Sequence, residues 1–386
     1  MDLSLTEEQR LIQDTARRFA EAELAPVAAE LDRTANHALL KGHCAKLAEL
    51  GFMGLNIDSE YGGTEAGVVA FSLAITEIAK ACAATAVTMS VTNMVAEVIQ
   101  AVGNDAQRAT YLPRLCSGEY LSGSFCLTEA GAGSDPASMR TRAEQTADGW
   151  RISGTKQWIT SAEFAGVFVV WAVTDPAAAK GKGISCFLVE ANRPGISIGP
   201  AEHKMGQCGS ATNEVHFDDV EIPQGALLGK LNDGFRIAVA ELAGGRIGVG
   251  SLALGIGLAA MDYATRYATE RRQFGHAIAD FQGLQWIIAD RATELEAARL
   301  LLMSAADRKE KGQSFAREAS MAKLFASEKA NQACYSALQL LGGYGYMCEY
   351  PLERMTRDAR ITSIYEGTSE VQRIVIARDI LRQYRN

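Results

Sequence analysis

The 386 residues carry 48% apolar and 22% charged side chains, an ordinary globular balance that excludes disordered, collagenous and membrane compositions. That length exceeds what one hydrophobic core usually serves, so two or three domains or one elaborated core are expected. Lys and Arg total 38 against 46 Asp and Glu, a formal charge of -8 with no extended basic stripe, which argues against nucleic acid as a partner.

No window approaches the ~20 apolar residues of a spanning helix, so no membrane span is expected. The start Met1-Asp2-Leu3-Ser4 lacks a basic region leading into an apolar one. A cytoplasmic protein is expected, or one of the mitochondrial matrix if the chain is a processed form. The eight cysteines make no C-x-x-C pair, and the five histidines show no H-x-x-x-H or H-E-x-x-H spacing. Reduced cysteines and no metal site are therefore expected.

Thr6-Glu7-Glu8-Gln9 matches a capping box, and Ile12, Ala16 and Phe19 follow at helical spacing, so the chain should open with a helix. Gly51 after Leu47-Ala48-Glu49-Leu50 suits a helix end, and Gly62-Gly63 marks a loop before an Ala-rich apolar stretch over 71–102. An α-helical domain over 1–120 is predicted.

Over 121–230 the texture changes to short β-prone runs, plainest in Val167-Phe168-Val169-Val170-Trp171, Ile184 to Val189 and Glu214-Val215-His216-Phe217. No helices of crossover length intervene, so a β barrel or sandwich is expected rather than a doubly wound sheet. From 231 to 386 the pattern is helical again, with Leu284, Ile288, Leu295 and Leu302 on one face interrupted by Arg291, as in a four-helix bundle. Ser369-Glu370-Val371-Gln372 reads as a second capping box ahead of a last helix whose Val371, Ile374, Val375 and Leu381 share a face. The fold class predicted is thus α+β multidomain, in α, β, α order, without internal repeats.

The chemistry-bearing strings are few. Phe125-Cys126-Leu127-Thr128-Glu129-Ala130-Gly131-Ala132-Gly133-Ser134-Asp135 combines glycines that allow close backbone approach with hydroxyls that could bind a pyrophosphate. It is no Rossmann fingerprint, and a plain turn fits it as well as a ligand loop. Lys156-Gln157-Trp158-Ile159-Thr160-Ser161 joins an aromatic plate to polar neighbours, suited to a flat heterocycle or to a packed edge strand. In Arg271-Arg272-Gln273-Phe274-Gly275, Arg271 could fork onto phosphate, although an exposed ion pair is the commoner role of an arginine. Gly342-Gly343, inside Gln339-Leu340-Leu341-Gly342-Gly343-Tyr344, costs about 1 kcal/mol per glycine within a helix and so marks a helix end or a close ligand. Glu366 in Ile364-Tyr365-Glu366-Gly367-Thr368 is by itself a charge near a helix start. Kept from water, it would have a raised pKa and could take a carbon-bound proton near neutrality.

Together the C-L-T-E-A-G-A-G-S-D and I-Y-E-G-T-S-E-V-Q-R strings, at this spacing, resemble the acyl-CoA dehydrogenase family over essentially the whole chain. The resemblance implies a homotetramer that binds FAD between subunits, takes an acyl-CoA substrate and passes electrons to electron-transfer flavoprotein. It implies that Cys126, Leu127, Thr128, Gly133, Ser134, Trp158, Ile159 and Thr160 cradle the flavin. Arg271, Gln273, Phe274, Gln282 and the run Gln339, Leu340, Leu341, Gly342, Gly343 would reach a neighbouring subunit's FAD, with Thr368, Ser369 and Glu370 closing over it. Glu366 would be the base that removes the α-proton, while the β-hydrogen leaves as hydride to give a trans-2-enoyl thioester. The Glu366 main-chain N–H and a flavin ribityl hydroxyl would steady the enolate oxygen.

Ser134, Ala243, Gly244, Gly245, Arg246 and Gly367 match the family's substrate-contacting stretches, with Ala243 standing where short-chain relatives commonly carry aspartate. Gly245 lacks the alternative base of isovaleryl-type members. Ala86 lacks the arginine that glutaryl-type members use. Short-chain or short branched-chain acyl groups are the substrates this resemblance favours. Two other readings remain at this stage: an acyl-CoA oxidase using O2, and a non-catalytic acyl-thioester-binding protein on the same fold.

Overall fold

A computed structural model describes residues 4–385. The amino-terminal helices are α1 (Glu7–Phe19), α2 (Ala28–Thr34), α3 (His37–Glu49), α4 (Gly67–Ala81), α5 (Ala83–Val102) and α6 (Asp105–Cys116). The first capping box forms as expected, with Thr6 Oγ1 accepting from Gln9 N and Gln9 Oε1 accepting from Thr6 N. Gly51 takes φ +78 just past α3, the left-handed turn that favours glycine. The apolar stretch over 71–102 is two helices rather than one, because Cys82 is extended (φ -149, ψ 103) and breaks the ladder between α4 and α5.

The strands are β1 (Gly123–Cys126), β2 (Arg142–Gln145), β3 (Gly149–Thr160), β4 (Val167–Val173), β5 (Ile184–Glu190), β6 (Ile196–Ile198), β7 (Thr212–Pro223) and β8 (Leu227–Leu228). Among the described residues they form one sheet in the order β6-β7-β3-β2-β4-β5-β8, with β1 parallel to β4. Alternate side chains of β4 and β5 enter two separate apolar cores, Val169, Trp171 and Leu188 on one side and Phe168, Val170, Phe187 and Val189 on the other. That two-sided burial explains why these strands read as continuous apolar runs. β3 lies between β7 and β2, but β2 faces only Trp150 to Ser153, so among the described strands Lys156 to Thr160 is paired with β7 alone, as an edge strand is.

Helices resume with α7 (Gly234–Glu270), followed by a short hairpin of β9 (Arg272–Gln273) and β10 (His276–Ala277). Then come α8 (Gln282–Glu310), α9 (Ala316–Leu340), α10 (Leu352–Arg360) and α11 (Ser369–Arg382). α7 is by length and composition apolar enough to cross a bilayer, where the sequence reading found no such window. However, 78% of its most apolar segment is buried inside the protein, where it packs on α4, α8 and α9. On α8, Leu295 and Leu302 are buried and Leu284 and Ile288 partly so, as the stripe predicts. The last helix differs, because its cap is Thr368, whose Oγ1 accepts from Val371 N, and not Ser369. Its predicted apolar face is only half covered, leaving Ile374 and Leu381 each 47% exposed.

Candidate active site

Glu366 follows a short turn after α10 and has φ +50, with Gly367 behind it at φ +89. A side chain in left-handed backbone is uncommon and holds only where the surroundings over-determine it. Two side chains do so here, through three hydrogen bonds. Lys323 Nζ, from α9, donates to Gly367 O at 2.8 Å. Gln372 Nε2 donates to the same carbonyl at 2.8 Å and to Glu366 O at 3.3 Å. This is why the second capping box fails, since Gln372 turns back to the carbonyls and leaves the cap to Thr368.

The turn points the Glu366 carboxylate at α7. A Cβ added to Gly245 would lie 2.3 Å from Glu366 Oε2 and 2.8 Å from Met94 Sδ, so only glycine lets the carboxylate sit between α7 and α5. Oε2 is buried with no hydrogen-bond partner in the protein. Burial raises the Glu366 pKa to about 7, with the nearby Lys323 and Arg246 charges opposing the rise. Arg246 is itself buried, held by a 3.0 Å hydrogen bond from Nη1 to Ser320 Oγ, while its Nε lacks a partner. An unpartnered carboxylate held against a glycine of α7, neutral or charged within the physiological range, is equipped to exchange a proton with a ligand.

Of the other substrate-stretch residues, Ala243 and Gly244 are buried on α7 next to Gly245, whereas Ser134 is exposed on the loop after β1. A cluster that sequence reading missed stands one residue along α7. A Cβ on Gly244 would meet Lys309 Nζ at 2.8 Å and Glu241 Oε1 at 3.9 Å, and Lys309 is paired with Glu97 of α5. Burial, then the Glu97 charge, pushes Glu241 up to about 8, with Lys309 opposing. These residues come from three distant helices and share no local motif, so nothing in the chain order could have joined them.

The two β-domain strings meet. β3 carries a register shift between Lys156 and Ile159, and Trp158 in this bulge has φ +57, which turns its ring outward to 56% exposure. Gln157 N donates to Thr128 O at 2.9 Å, joining the bulge to the glycine-rich loop. Beneath them Lys156, fully buried, donates to Leu127 O at 3.0 Å and to Glu129 Oε1 at 2.8 Å. Glu129 also accepts from Arg140 N at 2.6 Å and Thr141 N at 3.0 Å. Burial alone would raise the Glu129 pKa, but the Lys156 charge and these hydrogen bonds hold it below its usual range. The side chains of Cys126 and Ile159 are buried in the β core, so what they can offer a ligand is main chain. Thr128 and Thr160 are partly exposed, and Gly133 has open space around its missing Cβ.

The remaining string lines a different surface. Arg271, Gln273, Phe274 and the run Gln339, Leu340, Leu341, Gly342 and Gly343 surround a cavity of about 760 Å³ at the end of α9. Gln282 lies between Phe281 and Gly283 of that lining and is not itself part of it. Arg271 stacks 5.5 Å above Tyr344, Phe274 is 91% exposed, and Gly342 (φ +59) ends the helix with no atom near either glycine's missing Cβ. Thr368 caps α11, Ser369 is buried with an unpartnered hydroxyl, and Glu370 is exposed. An upright aromatic plate beside a glycine loop, and an open basic cavity rimmed by glycines, fit the ring system and the phosphates of a dinucleotide.

Models of the acyl-CoA dehydrogenase family match the chain in three pieces, the N-terminal domain over residues 6–119, the middle domain over 124–220 and the C-terminal domain over 232–381. The chain is 46% identical to acryloyl-CoA reductase (NADH) of Anaerotignum propionicum, covering 99% of this chain and 97% of that protein. It is 43% identical to the mitochondrial short-chain specific acyl-CoA dehydrogenase of Mus musculus, covering 100% and 92%. Among solved structures, butyryl-CoA dehydrogenase from Megasphaera elsdenii superposes with a TM-score of 0.95 at 39% identity, covering 99% of this chain and all of that one. A chain solved in work on the electron transferring flavoprotein of Acidaminococcus fermentans reaches 0.96 at 42% identity, with 99% and 100% covered. This chain belongs to the acyl-CoA dehydrogenase family, FAD-dependent oxidoreductases with an N-terminal helical, a middle β-sheet and a C-terminal helical domain.

Proposed function

We propose that the protein catalyses α,β-dehydrogenation of a short or short branched-chain acyl-CoA to the trans-2-enoyl-CoA, with Glu366 as the base. The observation that carries this reading is the unpartnered Glu366 Oε2 beneath Gly245, with its pKa raised to about 7. Glu366 takes the proton from the α-carbon as the α,β double bond forms. FAD, when bound, supplies the acceptor for the β-hydride. The Glu366 main-chain N–H is the proposed donor to the thioester oxygen as enolate charge develops there. Trp158, Thr128, Ser134 and Thr160 would hold one part of FAD. Arg271, Gln273, Phe274 and the Gln339 to Gly343 run would hold another, belonging to a neighbouring subunit. A homotetramer is in keeping with the large apolar side chains left open on the C-terminal helices, Trp286 at 66%, Tyr335 at 69% and Tyr346 at 77%. The names of the mouse and Megasphaera relatives support short acyl groups, and the Acidaminococcus structure supports electron-transfer flavoprotein as partner.

The test is anaerobic addition of butyryl-CoA to the purified yellow holoenzyme. Bleaching of the flavin band in the native protein and its loss in Glu366→Gln, with FAD retained, is the expected result. Full bleaching in Glu366→Gln would move the base elsewhere. Rapid aerobic turnover with hydrogen peroxide and no added flavoprotein would replace the dehydrogenase by an oxidase. The similarity to acryloyl-CoA reductase (NADH) favours one further reading, the same site run in reverse, with protonated Glu366 returning its proton to the α-carbon of a short enoyl-CoA. NADH-dependent reduction of acryloyl-CoA in the presence of electron-transfer flavoprotein would single out that direction.

A further inference from the structure

We propose that Lys323 is a positioning residue that pins the Glu366 turn through the Gly367 carbonyl and supplies the charge balance around the Glu366 carboxylate. The inference rests on the reading of Glu366 as the base. Lys323 lies in the middle of α9 and is fully buried. Among the described residues it is paired with no carboxylate, and its Nζ donates to Gly367 O at 2.8 Å. Burying an ammonium against a carbonyl alone is costly, and a methionine of similar length would fill the space without that cost. A packing role therefore leaves the charge unexplained.

Two features account for it. Glu366 and Gly367 are consecutive left-handed residues, and the carbonyl that Lys323 holds belongs to the second of them. In addition, the Lys323 charge acts on Glu366 to lower its pKa, and the Glu366 charge acts back on Lys323. The groups facing this turn come from several elements. α7 contributes Arg246, with Glu241 beyond it next to Glu97 and Lys309. α9 contributes Lys323, with Glu328 acting on it, and α11 contributes Glu370 and the neutral Gln372. α5 contributes the uncharged Met94. Lys323 and Gln372 donate to the same carbonyl at the same 2.8 Å, yet only Lys323 can carry a charge, which it does below about pH 8, where burial has lowered its pKa. The hydrogen bond and the charge can therefore be removed separately.

The experiment measures flavin reduction by butyryl-CoA across about pH 6 to 9 in the native holoenzyme and in Lys323→Met, Lys323→Arg, Gln372→Met and Glu366→Gln, with FAD content and melting temperature alongside. Gln372→Met is expected to slow reduction without moving the acidic limb of the profile. Lys323→Met is expected to slow it and to move that limb upward by about one pH unit, the shift typical of losing an opposite charge near a carboxylate. Lys323→Arg should return the limb to its native position. A folded, FAD-loaded Lys323→Met with an unmoved limb overturns the inference, and if that variant does not fold, Lys323→Gln provides the same comparison. Glu366→Gln separates the two failures. If it still reduces the flavin, the assignment of the base is wrong, and if it is inactive while the limb of Lys323→Met stays put, only the role of Lys323 is wrong.

Discussion

Two buried carboxylates in this molecule each lie near a buried lysine, and they end in opposite states. Glu129 in the β domain is met by Lys156 and by two main-chain N–H groups, so that its charge is fully matched and its pKa falls. Glu366 has Lys323 nearby, but that ammonium goes to a main-chain carbonyl, so Oε2 stays unmatched and burial raises the pKa to about 7 against the opposing Lys323 and Arg246 charges. A carboxylate whose hydrogen bonds are complete holds structure together, whereas one left incomplete can still exchange a proton. Residue type does not separate the two; the destination of the lysine's hydrogen bond does.

The sharpest way to break that contrast is to neutralise the unmatched acid. Glu366→Gln is expected to lower the rate of flavin reduction by about 10²–10⁴-fold, the range of a lost general base, while melting temperature and FAD content change little. Neutralising the matched pair should do the reverse. Lys156→Met strands Glu129 in the β core and is expected to cost about 3–5 kcal/mol in urea unfolding, with loosened FAD because Leu127 O loses its donor. If Lys156→Met proved neutral in stability, the matched half of the comparison would collapse.

A smaller effect is expected from crowding rather than neutralising. Gly245→Ala forces a Cβ to within 2.3 Å of Glu366 Oε2, and the displaced carboxylate should lose about 10²-fold in reduction rate with little change in FAD content. The pH profile follows from the raised pKa. Glu366 is a base only when ionised, so kcat/KM should fall about tenfold per pH unit below about 7 and level off above it. A limb near 4 would mean that the carboxylate is solvated in the working enzyme. Least of all, Glu241→Gln removes a group that is largely protonated at neutrality and acts on Glu366 only through space, so a change under about tenfold is expected in the same assay.

Much of the architecture could be read from local patterns. The Thr6 capping box, the helix end at Gly51 and the continuous apolar runs of β4 and β5 are set by neighbours within a few residues, and each appears where expected. Patterns decided by distant partners were read less well. Ser369 looks like a cap until Gln372 is drawn away by the carbonyls of Glu366 and Gly367. Lys156 to Thr160 has the form of an edge strand, but its side away from β7 is met by the distant glycine-rich loop, Gln157 N donating to Thr128 O. The outward turn of Trp158 depends on a bulge that no residue in the string announces.

The sequence by itself determined the α, β, α order, the family, and the presence of one carboxylate in a Y-E-G-T string, because periodicity, capping and motif spacing are local or strung along the chain. Only the tertiary structure decided that this carboxylate is unmatched, that Gly245 is the clearance it needs, and that Lys323 and Arg246 flank it from α9 and α7. Burial and the destination of a hydrogen bond are properties of three-dimensional neighbours, and here those neighbours lie from 43 to more than 100 residues away along the chain.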